Sequence, residues 1–460
     1  MNEPLDKVEN PNRRGSSAPL RSSMHPAMLL VCLAAYFWFA VWLPWHGLHS
    51  NDFKHLYLGM KALLDGDEPY SPLSLFHHAA LNEMMHPKLS LNPYVYLPFT
   101  GLAMSFLAPF SFSQAAAIWF LLNHLFALVA CWLIARELYP DTRLRAFGIL
   151  LFALAMSSPM ARTLTAGQLN LTMLFCATAA FCLLLRGRDK TAGAVLGFAA
   201  CFKLAPALFL LYFAIRRRWS ALGVMSGTIA VCLAISLGAV GWKVHAAFLP
   251  VLQQMRYGHS SWEHIWQFHM TPPTFWKDPT NQSFNSLFTH VFVGDNAITP
   301  WLQGTQGVAN VATWGVSLLL LAAYLWCMWS RDAEPVKELQ FEPRISGISD
   351  RDQALFHTTL LLMLLLPSLM WDHYLVLALL PVSWLVQFCH KRRYWKTTRL
   401  VVACYMIICV PWQFDAEIYR QGAGLLLMSA KLWPTVVLFG VCCWVALKAK
   451  GEPAIPVQTG

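Results

Sequence analysis

The sequence predicts an all-α protein that crosses a membrane many times. Among its 460 residues, 57% are hydrophobic and only 13% are charged, and the mean hydropathy is +0.45. A soluble domain carries about 25% charged residues, so this composition excludes an ordinary soluble protein. The apolar residues also fall into runs of roughly twenty, which is the length that a helix needs to cross the hydrocarbon core of a bilayer.

The net charge of +10 does not indicate a nucleic-acid-binding protein. The Lys and Arg residues lie in short runs beside apolar segments, which is how a membrane protein marks its cytoplasmic ends. No zinc-finger spacing or nucleic-acid-binding motif accompanies them, so nucleic acid is not expected among the partners. All twelve cysteines fall inside apolar segments and are expected to be buried thiols, not a disulfide framework.

The basic runs orient the apolar segments. They lie at residues 13–21, 136–145, 186–190, 216–218, 331–344, 391–396 and 448–450. All of them face the cytoplasm under two conditions. Segment 97–110, which is short and carries Pro98, Gly101 and Pro109, must not cross and is expected to be re-entrant or interfacial. Segment 191–215 must be a hairpin of two short helices broken at residues 203–206, and such a break is tolerated only where it is buried in protein or lines a wet cavity.

This topology gives about twelve crossings with both termini inside. One membrane domain is expected over residues 28–450, between a tail at 1–27 and a second tail at 451–460. Large external loops are expected at 46–113 and 241–307. The first apolar segment has no small-residue cleavage motif after it and is therefore expected to be a retained anchor.

Unusual polar residues gather on the external side of this topology, which was set from Lys and Arg flanks and hydrophobic length alone. They are Asp52, Tyr96, Gln168, Asn170, Lys203, Asn281, Gln282, Asn285, Asp372 and His373. Asp52 lies just past the first apolar segment, where a carboxylate can do acid–base work on a substrate arriving from the bilayer. The alternative is that Asp52 caps a helix beginning near Phe53.

The other polar residues also leave alternatives open. Lys203, at the break of the hairpin, either binds a phosphate or snorkels to the membrane interface. Gln168 and Asn170 either contact a substrate or satisfy the backbone of a turn. Asp372 and His373 either form a plain turn or bind a sugar or phosphate. The loop histidines lack the spacing of metal ligands, so no metal site is expected.

The same residues resemble a known family. The first stretch contains Asp52, Phe53 and Tyr57, followed by LLDGDEPY at 63–70 and YLP at 96–98. The next stretches are AGQLN at 166–170, Gly193 and Gly197, and FKLAP at 202–206 with RRRW at 216–219. The last is NQSFN at 281–285. In this order they are similar to glycosyltransferase family 87, the polyprenol-phosphate-mannose-dependent mannosyltransferases of GT-C architecture. Residues after 355 match only in hydropathy and in the turn at Trp371, Asp372 and His373.

The resemblance implies an enzyme of the external membrane face. Such an enzyme takes a sugar, mannose in the characterised members, from a polyprenyl-phosphate donor and passes it with inversion to a lipid or glycan acceptor. An Asp of the first external loop serves as general base, and by position that residue is Asp52. GT-C proteins commonly carry a pair of acidic residues or a metal-binding set. Asn51 precedes Asp52 here, so metal-independent chemistry without a cofactor is expected.

The resemblance and the chemistry together give roles to the remaining residues. Departure of the donor phosphate develops negative charge, which a fixed cation stabilises in a low-dielectric cavity. Lys203 and His373 are the candidates for binding that phosphate. The expected substrate-binding residues are Tyr57, Tyr96, Gln168, Asn170, Asn281, Gln282, Asn285 and Asp372. The expected partners are the lipid-linked donor, the acceptor and membrane lipids, at a cell membrane with the site facing the periplasm or exterior.

Three other classes of protein share part of this pattern. A secondary transporter also has broken helices and a polar site, but it places that site near mid-membrane between related halves, and this sequence has no internal repeat. A non-catalytic scaffold does not need a lone Asp, a lone Lys and a Gln-x-Asn turn on one face. Another lipid-linked transferase, moving a pentose or a phospho group, shares the mechanism.

Overall fold

The fold is a bundle of helices of very unequal length. A computed structural model describes residues 26–47, 52–85, 91, 93–257, 279–294, 298–330, 347–414 and 416–448. Across these residues no β-strand forms, and the nearest feature is an isolated antiparallel bridge between Asn281 and Trp371. The predicted all-α class is confirmed.

The described residues form eighteen helices, which are numbered in chain order. They are α1 Pro26–Trp45, α2 Phe53–Asp65, α3 Pro72–Leu81, α4 Pro98–Ala103, α5 Phe112–Leu138, α6 Arg143–Ala155, α7 Ser158–Ala166, α8 Asn170–Leu185, α9 Asp189–Phe202, α10 Leu208–Ile215, α11 Trp219–Gln254, α12 Phe284–Phe292, α13 Gln306–Trp329, α14 Asp350–Leu365, α15 Leu379–Lys391, α16 Trp395–Cys409, α17 Gly424–Met428 and α18 Leu432–Lys448. Short 3-10 turns lie at Ser105–Leu107, Pro140–Thr142, Ala205–Ala207, Asp372–Ala378 and Glu417–Tyr419.

Several of these helices are long and apolar enough to cross a membrane. Among the described residues there are five, namely α1, α5, α11, α13 and the continuous stretch Asp372–Lys391. A sixth span exists if α6 and α7, bent by 68°, count as one broken span. The protein is therefore a polytopic membrane protein, as predicted, while the predicted number of about twelve crossings stays a prediction.

Ion pairs join the ends of many helices at one end of the bundle. They are Arg186–Glu137, Arg218–Asp189, Arg216–Asp352 and Arg392–Asp350. These pairs connect four of the basic runs from which the topology was predicted. These four runs thus lie together, which is the arrangement that a positive-inside topology requires.

Segment 191–215, predicted as a broken hairpin, is interrupted at the predicted place. Helix α9 ends at Phe202, Lys203 is extended (φ −141°, ψ 136°), and α10 begins at Leu208. Arg218 then donates to both carboxylate oxygens of Asp189 at 2.8 Å. Because Asp189 is the first residue of α9, the chain has returned to the end of the bundle from which it started.

Two glycines of α9 allow it to pack closely on α11. A Cβ at Gly193 would lie 2.3 Å from the carbonyl oxygen of Ala221, and one at Gly197 would lie 2.7 Å from that of Met225. Small residues four apart are a common device for close helix packing in membranes. This contact fixes α9, and with it the position of Lys203 at its far end.

The predicted loops contain helices. The segment at 97–110 holds α4 and the turn Ser105–Leu107, which are too short to cross a bilayer. Helix α11 runs past residue 241, where we place the start of the second loop, and kinks at Gly241 (φ 76°) before ending at Gln254. The predicted tails and the middle of the second loop fall largely outside the described residues. All twelve cysteines are buried, and none of them forms a disulfide.

Candidate active site

The carboxylate of Asp52 points away from the helix that it precedes. Asp52 occupies the N-cap position of α2, as one of the two alternatives required, but its side chain makes no capping hydrogen bond. Its Oδ2 instead accepts a hydrogen bond from Nε2 of Gln168 at 3.1 Å. The Asp52 side chain therefore does not act as a helix cap. It is hydrogen-bonded to the turn between α7 and α8.

That turn comes unusually close to α2. Gly167 ends α7 with φ +66°, and a Cβ built on it would lie 2.6 Å from Cβ of Phe53. The carbonyl of Gly167 also accepts a hydrogen bond from the indole Nε1 of Trp119 at 2.9 Å. A residue without a side chain is required here, because it allows the chain to bring Gln168 within reach of Asp52.

Gln168 is itself held from the other side. Its Oε1 accepts a hydrogen bond from the Tyr96 hydroxyl at 3.0 Å, and the Gln168 side chain is buried. Burial raises the pKa of Tyr96 well above its usual range, so this hydroxyl keeps its proton and remains the donor. Tyr96, Gln168 and Asp52 therefore form one chain of hydrogen bonds with a defined direction.

A buried histidine lies one turn beyond Asp52. Burial lowers the pKa of His55 to about 4, and the nearby charge of Asp52 opposes this shift without reversing it. His55 is therefore neutral at neutral pH. It does not place a second charge beside the carboxylate of Asp52.

Lys203 is held inside the protein by two contacts. Its Nζ donates to Oδ1 of Asn170 at 2.7 Å, and it lies 3.9 Å from the centroid of the Tyr374 ring. Burial lowers the pKa of Lys203 to about 7. An ammonium group directed at an amide and an aromatic face is not extended toward the membrane surface, so the geometry favours the binding alternative over snorkelling.

Asn170 connects Lys203 to the turn at residues 371–374. The Asn170 side chain is 1% exposed, and its Nδ2 donates weakly, at 3.4 Å each, to Oγ1 of Thr163 and to the carbonyl of His373. Gln168 and Asn170 thus do more than satisfy their own turn, since one reaches Asp52 and the other reaches Lys203. The two candidate chemical groups are held by side chains two residues apart.

The Asp372 carboxylate lies between two cations. Its Oδ2 accepts from Nη1 of Arg162 at 2.9 Å and from Nζ of Lys431 at 3.3 Å. Oδ1 of Asp372 and Nε2 of His373 are buried and have no hydrogen-bond partner among the described residues. Buried polar atoms are seldom left in this state, so both atoms are suited to meet a bound ligand or water.

The remaining predicted residues lie elsewhere or are used in the fold. The hydroxyl of Tyr57 donates to the carbonyl of Phe110 at 2.8 Å, within the first loop. Oδ1 of Asn281 accepts from the backbone of Met370, and the amide of Gln282 bonds the backbone at 428 and 431. Asn285 is buried on α12. Their predicted contact with substrate stays a prediction, and the hydrogen bonds of Asn281 and Gln282 connect this segment to the backbone just before residue 371 and to the break before α18.

Three residues of this region are not among the predicted site residues. Lys431 interrupts an apolar run, and it lies at a break between α17 and α18 that the hydropathy of residues 425–447 does not reveal. Arg162 is a lone cation after the apolar residues of α6, and Tyr374 has the composition of an ordinary aromatic residue of a helix. Isolation in an apolar segment is a signal that Arg162 and Lys431 share with Lys203.

The site is rich in positive charge. Around the turns at 168–170 and 371–374, the described residues include the cations Lys203, Arg162 and Lys431 and the carboxylates Asp52 and Asp372. No three His, Cys, Asp or Glu side chains in the described part of the chain converge as metal ligands. A base and an excess of cations at one end of a membrane bundle can deprotonate one ligand and bind the phosphate of another.

Comparison with known proteins also indicates a membrane glycosyltransferase. Residues 94–341 match the model of glycosyltransferase family 87. The chain is 27% identical over 228 residues, 49% of its length, to the polyprenol-phosphate-mannose-dependent alpha-(1-2)-phosphatidylinositol pentamannoside mannosyltransferase of Mycolicibacterium smegmatis. The match spans about half of that relative, 52% of its length. No solved structure matches the chain. The family match covers more than half of the residues and includes the turn at 168–170 and Lys203, and the chain belongs to glycosyltransferase family 87.

Proposed function

We propose that this protein is an inverting membrane glycosyltransferase that moves a hexose, mannose in the first instance, from a polyprenyl-phosphate donor to a lipid or glycan acceptor. The observation that carries the proposal is the turn at 168–170. Through Gln168 it holds the carboxylate of Asp52, and through Asn170 it holds the ammonium group of Lys203. Glycosyl transfer from a lipid phosphate needs a base for the acceptor and a cation for the phosphate.

The reaction needs one displacement at the anomeric carbon. The acceptor hydroxyl attacks that carbon while its proton passes to the carboxylate of Asp52. The bond between the anomeric carbon and the phosphate oxygen breaks, and its electron pair stays on the phosphate. Attack and departure on opposite faces of the sugar invert the configuration. Lys203 stabilises the phosphate as it gains charge, in a region from which water is largely excluded.

Gln168 and Tyr96 orient the base in this account. The Tyr96 hydroxyl fixes Oε1 of Gln168, which leaves Nε2 to donate to Oδ2 of Asp52. The second oxygen of Asp52 is the atom that we assign to the acceptor hydroxyl. Asp372 supplies an acceptor for sugar hydroxyls, and Asn170, His373 and Asn285 supply polar atoms for sugar hydroxyls or phosphate oxygens.

The choice of donor follows the family and the named relative. That relative uses polyprenol-phosphate-mannose according to its name. A polyprenyl phosphate is already a leaving group retained by the membrane, so neither a nucleotide-binding domain nor a cofactor is required, and we propose metal-independent chemistry. We place the basic ends of the bundle on the cytoplasmic side of a cell membrane, so that the site faces the periplasm or exterior.

Transfer in liposomes tests the proposal. Purified protein is reconstituted with radiolabelled polyprenyl-phosphate-mannose and a lipid extract, and the products are separated by chromatography. The proposal expects label in a new glycolipid, and at least about 10²-fold less label with the Asp52→Asn variant. Movement of intact donor across the bilayer without any new product would instead identify a transporter.

A further inference from the structure

The cluster of Arg162, Asp372 and Lys431 contains a cation that the mechanism above does not use. Lys431 is 2% exposed, and its Nζ donates to Oγ of Ser158 at 2.6 Å as well as to Asp372, so it is buried and held by two partners. The Arg162 side chain, in contrast, is 41% exposed. Two cations share one carboxylate, so the cluster keeps a net positive charge, and Arg162 is its accessible member.

Arg162 has unused donors. A guanidinium group carries five N–H donors, and among the described residues Arg162 uses only Nη1, which donates to Asp372. The ion pair with a buried carboxylate that is also held by Lys431 limits how far the guanidinium group can move. The ion pair with Asp372 therefore fixes one side of the Arg162 guanidinium group, and the other side can donate hydrogen bonds to an anionic ligand.

Arg162 and Lys203 approach the same short segment from two sides. Lys203 binds Asn170, which donates to the carbonyl of His373, and Arg162 binds Asp372, the residue before it. The charges of both cations, and that of Lys431, act on the imidazole of His373. Nε2 of that imidazole is buried without a partner among the described residues. Three cations thus act on one short segment, in which a buried ring nitrogen has no hydrogen-bond partner among the described residues.

The charge of the leaving group requires more than one cation. The polyprenyl-phosphate sugar is a phosphodiester with one negative charge. When the bond to the anomeric carbon breaks, the electron pair remains on the phosphate oxygen while the acceptor proton goes to Asp52. The departing polyprenyl phosphate is then a monoester with a second negative charge, and no proton arrives in that step to neutralise it.

We propose that Arg162 is a second phosphate-binding residue, which contacts the polyprenyl phosphate as it departs and is selective for the dianionic product over the monoanionic donor. Asp372 and Lys431 act as positioning residues for its guanidinium group. This inference rests on the proposed function. It adds a residue outside the family motifs: Lys203 binds the donor phosphate and stabilises it as it gains charge, and Arg162 supplies a further cation for the second negative charge of the product.

Product inhibition separates this role from simple packing. For the wild type, Arg162→Gln and Arg162→Lys, initial rates are measured against donor concentration with and without added polyprenyl phosphate. Arg420→Gln is the matched control, because the Arg420 side chain is exposed and the backbone carbonyl of Arg420, not its side chain, accepts a hydrogen bond from the backbone N–H of Thr299. We expect Arg162→Gln to lower kcat by about 10²-fold, as loss of an oxyanion donor does. We expect it to raise the inhibition constant of polyprenyl phosphate at least about tenfold more than the KM of the donor.

The conservative variant Arg162→Lys provides a second measurement. Arg162→Lys keeps the charge and the pairing with Asp372 but loses the planar fork, so it should recover part of kcat. If Arg162→Gln cannot be purified, a rise of about fivefold or more in the product inhibition constant of Arg162→Lys, with donor KM unchanged, carries the same conclusion. Equal changes in both constants, or no change beyond that of Arg420→Gln, would overturn the role of Arg162.

Failure of the proposed function would look different. If the wild type transfers no sugar, direct binding of radiolabelled polyprenyl phosphate to the purified protein still tests Arg162. Weaker binding by Arg162→Gln than by Arg420→Gln would support the phosphate contact alone. Equal binding by Arg162→Gln and Arg420→Gln would rule out a phosphate contact by Arg162, whatever reaction the protein catalyses.

Discussion

The carboxylate of Asp52 accepts a hydrogen bond from Gln168, which lies 116 residues later in the chain, and not from the helix that Asp52 begins. A carboxylate at an N-cap position ordinarily bonds the first turn of its own helix. Here the side chain forgoes that bond, and a buried amide fixed by Tyr96 orients it. This pairing holds the Asp52 carboxylate away from its own helix, where it can accept a proton from a substrate.

Replacing Gln168 with Glu should change the pH profile of the enzyme. Two carboxylates within hydrogen-bond distance retain a proton to higher pH than one carboxylate does. The acid limb of kcat/KM should therefore move to higher pH in Gln168→Glu. The charged and titratable groups near Asp52 are Lys54, His55, Tyr96 and Tyr374, and none of them is altered. Rates measured between about pH 5 and 9 check this, and an unmoved acid limb would remove Gln168 from the orientation of the base.

Replacing Lys203 tests the phosphate clamp. Lys203→Met should raise the KM of the donor and also lower kcat, because the phosphate gains charge as its bond breaks. Lys203→Arg should restore part of this at best, since the guanidinium group reaches further and needs different space. Initial rates against donor concentration, at matched expression, give both constants. A lysine that only packs against Tyr374 would leave the catalytic efficiency of Lys203→Met unchanged.

The lowered pKa of Lys203 adds a pH dependence of its own. With a pKa of about 7 in the protein, the ammonium group is present below that pH and is lost as the pH rises through it. The phosphate requires the charged form, so kcat/KM for the donor should fall above about pH 7. In Lys203→Arg the guanidinium group stays charged, and the basic limb should move upward. A basic limb that is identical in the two proteins would assign it to another group.

Much of this arrangement is visible in the sequence. Hydropathy and the positions of the Lys and Arg residues predict the fold class. They also predict that the basic runs lie at one end of the bundle. The Lys203–Pro206 sequence indicates the helix break, because a lone lysine before a proline interrupts an apolar segment. The preference of Asp for N-cap positions predicts the start of α2 next to Asp52, although the Asp52 side chain makes no capping hydrogen bond.

The partners of these residues could not be predicted. Arg162 and Asp372 are 210 residues apart, and Lys431 and Asp372 are 59 apart, so their pairing depends on how α7, the turn at 371–374 and the break before α18 pack in three dimensions. Asn281 and Gln282 have the composition of ligand-binding residues, yet their amides bond backbone groups of distant segments. Composition identifies a polar side chain but not which buried group it satisfies.

Cysteine labelling tests the topology. In a background without the native cysteines, a cysteine at position 66 should react with a membrane-impermeant reagent from outside only. Cysteines at positions 217 and 392 should react from inside only, because the ion pairs join their helices at one end. Position 278, a second external site, lies outside the described residues. Labelling at 217 from outside would overturn the broken hairpin and remove Lys203 from the site.

The central claim is that Asp52 is the general base, and the turnover of Asp52→Asn tests it most directly. Asparagine keeps the size of the side chain and a hydrogen bond to Gln168, so the protein should fold and bind the donor as before. Loss of a general base costs about 10²–10⁴-fold in rate. Radiolabelled sugar transfer by the purified variant should fall by that amount with little change in donor KM. Retention of more than about a tenth of the wild-type turnover would contradict the account.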